Sequence, residues 1–324
     1  MEEGNKTGLK WKNKLIFFAA AAVILVICNL LTEGKFLRSS TIMFILAHAV
    51  FYIFVSWGMI FIFTTGMVDL SIGANVLLAG NIGAILGMEA GLGYPGLIIG
   101  AVVSAALMEM LTVFISTGLN IPGWVSGLGM TLIYEAILSI YGGYRAANFG
   151  SNVLVLDKKI LGFFGKVPIM LTFLVIGYLV CYFVFNKTSI GINIAAVGGN
   201  RGVAKHMGIR IMRTIMLGAL IGGLFIGFAA LLQESYVGKL VPTSGMASLS
   251  SIFRSLAIIL LAGSFSAIFD QATAVLITGI LVTAMFNFLT LIGVPSGTGQ
   301  DIALGILVIG TGVISNLKNK GVVK

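Results

Sequence analysis

Apolar residues run through this chain in long blocks, and short polar or charged stretches separate the blocks. Most blocks reach the ~20 residues that a helix needs to cross the hydrocarbon core of a bilayer. About ten such segments are bounded by charges or turn residues, which predicts an all-α polytopic membrane protein. The predicted segments lie near 15–32, 41–66, 69–88, 93–118, 122–142, 165–186, 213–233, 251–268, 271–293 and 301–317.

The third segment differs from the others because polar and small residues interrupt it. Asp69 opens it, and its apolar run is interrupted by Gly73, Gly80, Gly83 and Gly87. Non-helical backbone at membrane depth is tolerated only where protein or water covers it. We therefore expect this segment to be a broken or re-entrant helix.

Composition supports the membrane interpretation and excludes a soluble domain. Of 324 residues, 58% are apolar and 10% are charged, against ~25% charged in a typical soluble domain. No polar stretch is long enough for a separate soluble domain, so residues 1–324 are predicted to form one transmembrane domain. The 43 glycines include several pairs four residues apart, such as Gly218 and Gly222, which allow close helix packing.

Positive charge predicts the orientation in the membrane. A net charge of +9 would suggest nucleic-acid binding in a soluble protein, but in a membrane protein it is typical of basic cytoplasmic loops. With ten spans, twelve of the 20 basic residues fall on one side, which is then cytoplasmic together with both termini. These residues are Lys6, Lys10, Lys12, Lys14, Lys187, Arg201, Lys205, Arg210, Arg213, Lys318, Lys320 and Lys324.

The loop at 188–213 is the most unusual connection in the chain. Gly198-Gly199-Asn200 is a turn signal, and the Asn200 side chain is suited to cap a short helix through Ala204. Gly208 is suited to end that helix. A capped basic helix between two spans predicts a docking element for a partner protein, although an ordinary basic loop that only sets topology fits the same residues.

This loop resembles the cytoplasmic loop of bacterial ABC-transporter permeases for simple sugars, of the ribose, galactose and xylose type. The chain departs from that pattern at Ile192, Ala195, Val203 and Met207. It matches the pattern at Gly191, Ala196, Val197, Gly198, Gly199, Asn200, Ala204, Gly208 and Ile209.

A second resemblance lies at the start of the third segment. Residues 65–73 read TGMVDLSIG, close to the G-G-I-D-L-S-V-G of the same permeases, and the match includes Asp69, Ser71 and Gly73. The Asp-Leu-Ser sequence favours the sugar branch over the related branched-chain amino-acid permeases. A late glycine-rich motif of the family is degraded at residues 262–270, which leaves the usual sugar open.

The resemblance implies a division of labour between several chains. Two permease chains, identical or different, form the pore in the bacterial inner membrane, a separate ATPase binds ATP and Mg²⁺, and an extracellular or periplasmic binding protein delivers the solute. The loop at 188–213 then couples the permease to the ATPase. The chain itself holds no cofactor and is not expected to be an enzyme, since it contains no GxxxxGK[ST] phosphate loop and no nucleophile–base pattern.

Ionisable residues inside spans are costly, so they are candidates for pore or structural roles. Asp69, Glu109 and Glu135 are the main candidates. Other ionisable residues in or beside the apolar segments are Asp270, Asp301, His48 and Arg254. Asp69 is suited to cap the helix that it opens. Two alternatives to the sugar importer stay open. One is a secondary transporter coupled to H⁺ or Na⁺ through one of these carboxyl groups, and the other is an ABC permease for nucleosides or amino acids.

Overall fold

A computed structural model describes residues 2–266, 268–295 and 297–319, and in this part of the chain all regular structure is helical. Short connections join most of the helices, as in other bundles. The α-helices are α1 (Glu2–Leu31), α2 (Ser39–Phe63), α3 (Ile72–Ala84), α4 (Gly93–Gly118), α5 (Gly123–Phe149), α6 (Lys158–Leu161), α7 (Val167–Lys187), α8 (Ser189–Gly199), α9 (Arg201–His206), α10 (Ile211–Val237), α11 (Leu249–Ser264), α12 (Gln271–Leu291) and α13 (Thr298–Asn319).

Each of the ten predicted segments falls on one helix of this bundle. Among the described residues, seven helices are long and apolar enough to cross a membrane, namely α2, α3 with the turn that extends it, α4, α5, α7, α10 and α12. The other three, α1, α11 and α13, contain shorter apolar stretches. The prediction of an all-α polytopic membrane protein is confirmed.

The third predicted segment is a continuous helix rather than a broken one. α3 begins at Ile72 and continues through a π-helical turn at Ile85–Glu89. Its glycines serve packing, because a β-carbon at Gly83 would lie 2.7 Å from the carbonyl oxygen of Leu97 in α4. The irregular backbone lies before the helix, at 64–71, and not within it.

Small residues bring α10 against α4 and α2 in the centre of the bundle. A β-carbon at Gly223 would lie 2.6 Å from Cα of Ala106 in α4, and one at Gly222 would lie 2.8 Å from the carbonyl oxygen of Gly58 in α2. Such distances leave no room for a larger side chain. The prediction that the spaced glycines allow close helix approach is confirmed.

α2 is the central helix of the bundle and is apolar on all sides. From Ala49 to Ile62 all but one of its residues are buried, as expected for a helix surrounded by other helices. Its polar groups are paired with other helices, since Trp57 Nε1 donates to the carbonyl oxygen of Ala272 at 3.1 Å. By contrast, α4, α5, α7 and α13 carry rows of exposed large apolar side chains, which suit contact with lipid.

Candidate functional site

The two sequence motifs, far apart along the chain, meet at one end of the bundle. α8 crosses the end of α2 so closely that a β-carbon on Gly198 would overlap the carbonyl oxygen of Thr64. Thr64 begins the irregular segment 64–71, which contains Asp69. Glycine at position 198 is therefore required by close approach of two backbones.

The loop after α7 folds into two short helices separated by Asn200. The Asn200 side chain accepts a hydrogen bond from the N–H of Val203 at 3.1 Å and caps α9, as the sequence predicts. Gly208 follows α9 with φ of +81°, a left-handed conformation that glycine adopts without strain. The expectation of a turn at Gly198 and Gly199 is corrected, because both residues form the last turn of α8.

The helix pair α8–α9 presents one buried face and one exposed face. The buried face consists of Gly191, Ile194 and Val197 of α8 and Ala204 of α9, and Ile209 is partly buried. Around them Arg201, Lys205, His206 and Arg210 are exposed, and so are two large apolar side chains, Val203 (54%) and Met207 (72%). Exposed apolar side chains ringed by positive charge are typical of a protein-docking surface.

The segment 64–71 is irregular but buried in protein. Asp69 Oδ1 accepts a hydrogen bond from the N–H of Ser71 at 2.7 Å, and Gly127 of α5 lies directly against Leu70. The expectation that Asp69 caps α3 is corrected: Ser71 occupies the N-cap position, and Asp69 binds the N–H group just before the helix. Thr131 of α5 covers the carbonyl oxygen of Leu70 with a hydrogen bond of 3.0 Å.

Asp69 and Glu109 form the centre of a buried polar network. The two carboxyl groups are neighbours, and Asn75 Nδ2 donates to Glu109 Oε2 at 3.1 Å. One oxygen of each group, Asp69 Oδ2 and Glu109 Oε1, is buried with no hydrogen-bond partner in the described structure. Both carboxyl groups are fully buried, and neither has a cationic partner in the described part of the chain. Such a pair is compatible with burial when it shares a proton, because two adjacent carboxylates repel each other.

Hydroxyl groups extend this network towards α4 and α5. Ser71 Oγ and Thr112 Oγ1 lie 3.3 Å apart, and the Thr112 hydroxyl lies 3.2 Å from the Tyr134 hydroxyl. Tyr134 also donates to the carbonyl oxygen of Met108 at 2.8 Å. The network thus joins the segment 64–71 to the interior of the bundle.

Glu135 has a different role from the other two carboxyl groups. It accepts hydrogen bonds from the N–H groups of Met246 and Ser248, both at 2.8 Å, immediately before α11. The free N–H groups at a helix start favour a negative charge. Gly73 packs against Ser248 from the other side, so this contact adjoins the Asp69 network.

The structure thus brings all five predicted pore or structural residues into one interior region. Asp69, Ser71, Gly73, Glu109 and Glu135 are buried. Of these, Gly73 borders a small cavity of about 50 Å³ between α2, α3 and α11. The roles of all five residues in transport stay predictions.

A polar cavity lies at the opposite end of the bundle, where α2 and α13 begin and α12 ends. Its volume is about 390 Å³, and Arg254 and His48 border it. Both were noted from the sequence, whereas Asn287 and Gln300 were missed. One signal was present, because Thr283, Asn287 and Thr290 follow each other at helical spacing along a single face of α12.

A bundle of apolar helices, with a polar cavity at one end and a capped basic helix pair at the other, fits a membrane permease. The chain belongs to the family described as branched-chain amino acid transport system / permease component, whose model matches residues 41–311. It is therefore a multi-pass membrane subunit of an ABC importer and works with other transporter subunits. A permease component is not the catalytic subunit, which confirms the prediction that this chain is not an enzyme.

Curated relatives resemble the chain over nearly its whole length. The galactose/methyl galactoside import permease protein MglC of Haemophilus influenzae is 24% identical over 98% of this chain and 97% of its own length. The D-allose transport system permease protein AlsC of Escherichia coli is 25% identical over 96% and 94%. The ribose import permease protein RbsC of Bacillus subtilis is 25% identical over 88% of each chain. No solved structure matches the chain.

Proposed function

We propose that this chain is the permease subunit of an ATP-driven importer for a simple sugar or a similar small polar solute. Two such chains, identical or different, form the pore, and each supplies one half. The observation that carries the proposal is the contact between α8 and the segment 64–71, made through Gly198 and Thr64.

This contact explains how force can reach the membrane part of the protein. A partner that binds the exposed side of α9 pushes on α8, and α8 rests on the backbone at Thr64 without an intervening side chain. The segment 64–71 continues directly into the Asp69 network and α3. Coupling requires such a contiguous element with two arrangements that the partner biases.

The proposed topology has ten crossings with both termini in the cytoplasm of a bacterial inner membrane. α7 ends just before the α8–α9 pair and α10 begins just after it. This region contains four basic residues, Lys187, Arg201, Lys205 and Arg210. Positive charge of this density is typical of the cytoplasmic side. The polar cavity then opens to the outside.

The partners in this proposal are a separate ATPase, a second permease chain and an external solute-binding protein. The ATPase docks on the exposed face of the α8–α9 pair, around Arg201 and Met207, and it binds ATP and Mg²⁺. The coupling residues within the loop 188–213 shape that pair and seat it on the segment 64–71, and they are Gly191, Gly198, Gly199, Asn200, Ala204, Gly208 and Ile209. The permease chain supplies the passage and holds no cofactor of its own.

The sugar branch is favoured over other solutes by the relatives' names and by the Asp69-Leu70-Ser71 sequence. An ABC permease for nucleosides or amino acids is the nearest alternative, since the family description names branched-chain amino acids. A secondary transporter coupled through Asp69, Glu109 or Glu135 is the alternative in another class.

Uptake into reconstituted vesicles tests the proposal. The complete complex, with its ATPase and binding protein, is expected to accumulate radiolabelled sugar only when ATP is present. Uptake that continues without ATP and responds to an imposed H⁺ or Na⁺ gradient would replace the importer by the secondary transporter. A panel of sugars, nucleosides and amino acids in the same assay decides the solute class.

A further inference from the structure

The polar cavity described above has walls suited to a solute that carries hydroxyl groups. Phe44 is exposed at its edge and stacks on His48, with ring centroids 4.0 Å apart. An aromatic face beside hydrogen-bonding groups is the arrangement that covers the apolar face and the hydroxyl edge of a sugar ring. Around it lie the amide groups of Asn287 and Gln300 and the hydroxyl of Thr290.

Two ionisable side chains, Arg254 and His48, are among the described residues that line this cavity. Arg254 carries a permanent positive charge, whereas His48 is charged only when protonated. The guanidinium of Arg254 lies 4.0 Å from the centroid of the Phe286 ring and 4.6 Å from that of the Tyr52 ring. One nitrogen, Nη1, donates to the Tyr52 hydroxyl at 2.9 Å. The two rings therefore hold the guanidinium in place.

The positive charge of Arg254 has no counter-ion in the described structure. No carboxylate lies within ion-pair distance of it, and none of the residues lining the cavity is acidic. Its remaining nitrogens find no acceptor among the described residues and are not enclosed. An arginine inside a helix bundle normally pairs with an acidic group, so the missing partner points to an external anion.

We propose that this cavity binds an acidic sugar, with the carboxylate on Arg254 and the sugar ring against Phe44 and His48. Arginine matches the geometry of a carboxylate, because two of its N–H groups reach both oxygens at once. The amides of Asn287 and Gln300 bind the ring hydroxyls. The inference rests on the proposed function, because it names the solute class that the importer carries.

Ligand-dependent thermal unfolding of the full-length permease in detergent tests this site without the ATPase. The probes are matched pairs, D-galacturonate against D-galactose and D-glucuronate against D-glucose. The acids are expected to raise the unfolding temperature in a saturable way and to bind about tenfold or more tightly than the neutral sugars, the contribution of a charge-assisted hydrogen bond.

Three variants assign that preference to the cavity. Arg254→Gln keeps hydrogen-bond donors but removes the charge, and it is expected to abolish the preference for acids. Arg38→Gln makes the same change at an exposed arginine before α2 that does not line the cavity, and it is expected to keep the preference. Asn287→Asp adds a negative charge to the wall and is expected to weaken acid binding, so it decides the matter if Arg254→Gln does not fold.

Equal binding of the neutral and acidic sugars, an undiminished preference in Arg254→Gln, or no shift with any sugar would overturn the proposal. The binding measurement needs no ATP, so it is separate from the test of the importer. Loss of ATP dependence in the vesicles would remove the proposed function and leave the binding site. ATP-driven uptake of a neutral sugar but of no acidic sugar would keep the proposed function and remove the acidic-sugar site.

Discussion

Gly198 of α8 and the carbonyl oxygen of Thr64 are in direct backbone contact, although 134 positions separate the two residues in the sequence. The contact joins the helix pair α8–α9, which carries the exposed basic surface, to the segment that leads into Asp69. It is a direct backbone connection between the predicted ATPase-docking surface and the segment that holds Asp69.

The first prediction concerns Gly198 in the last turn of α8. Gly198→Ala is expected to push α8 away from Thr64, with a local cost of about 1–3 kcal/mol, and to lower ATP-driven uptake while ATP hydrolysis continues. Gly143→Ala in α5 is the control, because it lies outside the coupling loop and nothing lies within 4 Å of a β-carbon at that position. The measurement is the ratio of uptake to ATP hydrolysis in vesicles. Equal ratios in the two variants would remove Gly198 from the coupling contact.

The second prediction separates an ATP-driven importer from an ion-coupled transporter. Glu109→Gln keeps the shape of the side chain, and its amide can accept from Asn75 and donate to Asp69. ATP-driven uptake is therefore expected to stay close to that of the unmodified protein, with no response to an imposed pH gradient. Glu109→Ala leaves the Asn75 donor without its acceptor, and we expect it to lower stability by about 2 kcal/mol or more. Selective loss of transport in Glu109→Gln, with the protein still folded, would support a proton-carrying role instead.

The third prediction concerns the carboxylate that holds the start of α11. Glu135→Ala removes the acceptor for the N–H groups of Met246 and Ser248, and each unmet donor costs about 1–3 kcal/mol. We expect a clear drop in the thermal unfolding temperature in detergent and a smaller drop for Glu135→Gln, whose single carbonyl oxygen accepts one of the two bonds. Ile137→Ala, at a half-exposed position on the same helix, serves as the control. A drop for Ile137→Ala as large as that for Glu135→Ala would contradict the assigned role.

The fourth prediction tests the central packing of α4 against α10. Gly223→Val is expected to prevent stable folding, because its β-carbon would already lie 2.6 Å from Cα of Ala106. Gly129→Ala in α5, where nothing lies within 4 Å, is expected to be neutral or to raise stability by about 0.5–1 kcal/mol. Yield and unfolding temperature of the purified chains provide the comparison. Normal folding of Gly223→Val would mean that the two helices can separate without loss.

Much of this fold follows from hydropathy alone, because a bilayer leaves helices as the simple solution for long apolar runs. The cap by Asn200 and the left-handed Gly208 also follow from local chemistry, since both depend on residues within one turn of each other. α3 was misjudged for a specific reason. Its glycines break a hydropathy pattern, but in the bundle they lie at contact distance from neighbouring segments, Gly83 against α4 and Gly73 against Ser248, and they leave the helix intact.

The site was only partly predictable because its contacts are distant in sequence. Asp69, Glu109 and Glu135 stand out as charges in apolar runs, yet only the tertiary structure shows that the first two are in contact and that the third binds the start of α11. Asn287 and Gln300 are uncharged, so the sequence did not predict them as cavity residues. They matter only because α12 and α13 bring them beside Arg254.

The irregular segment 64–71 also constrains how the protein is made. The chain emerges from its N-terminus, so this segment reaches the membrane well before Thr131, which covers Leu70, and long before Gly198, which covers Thr64. Uncovered backbone of this kind is not stable in lipid. We therefore expect the segment to stay at the water interface during synthesis until α5 and α8 have been made and cover it.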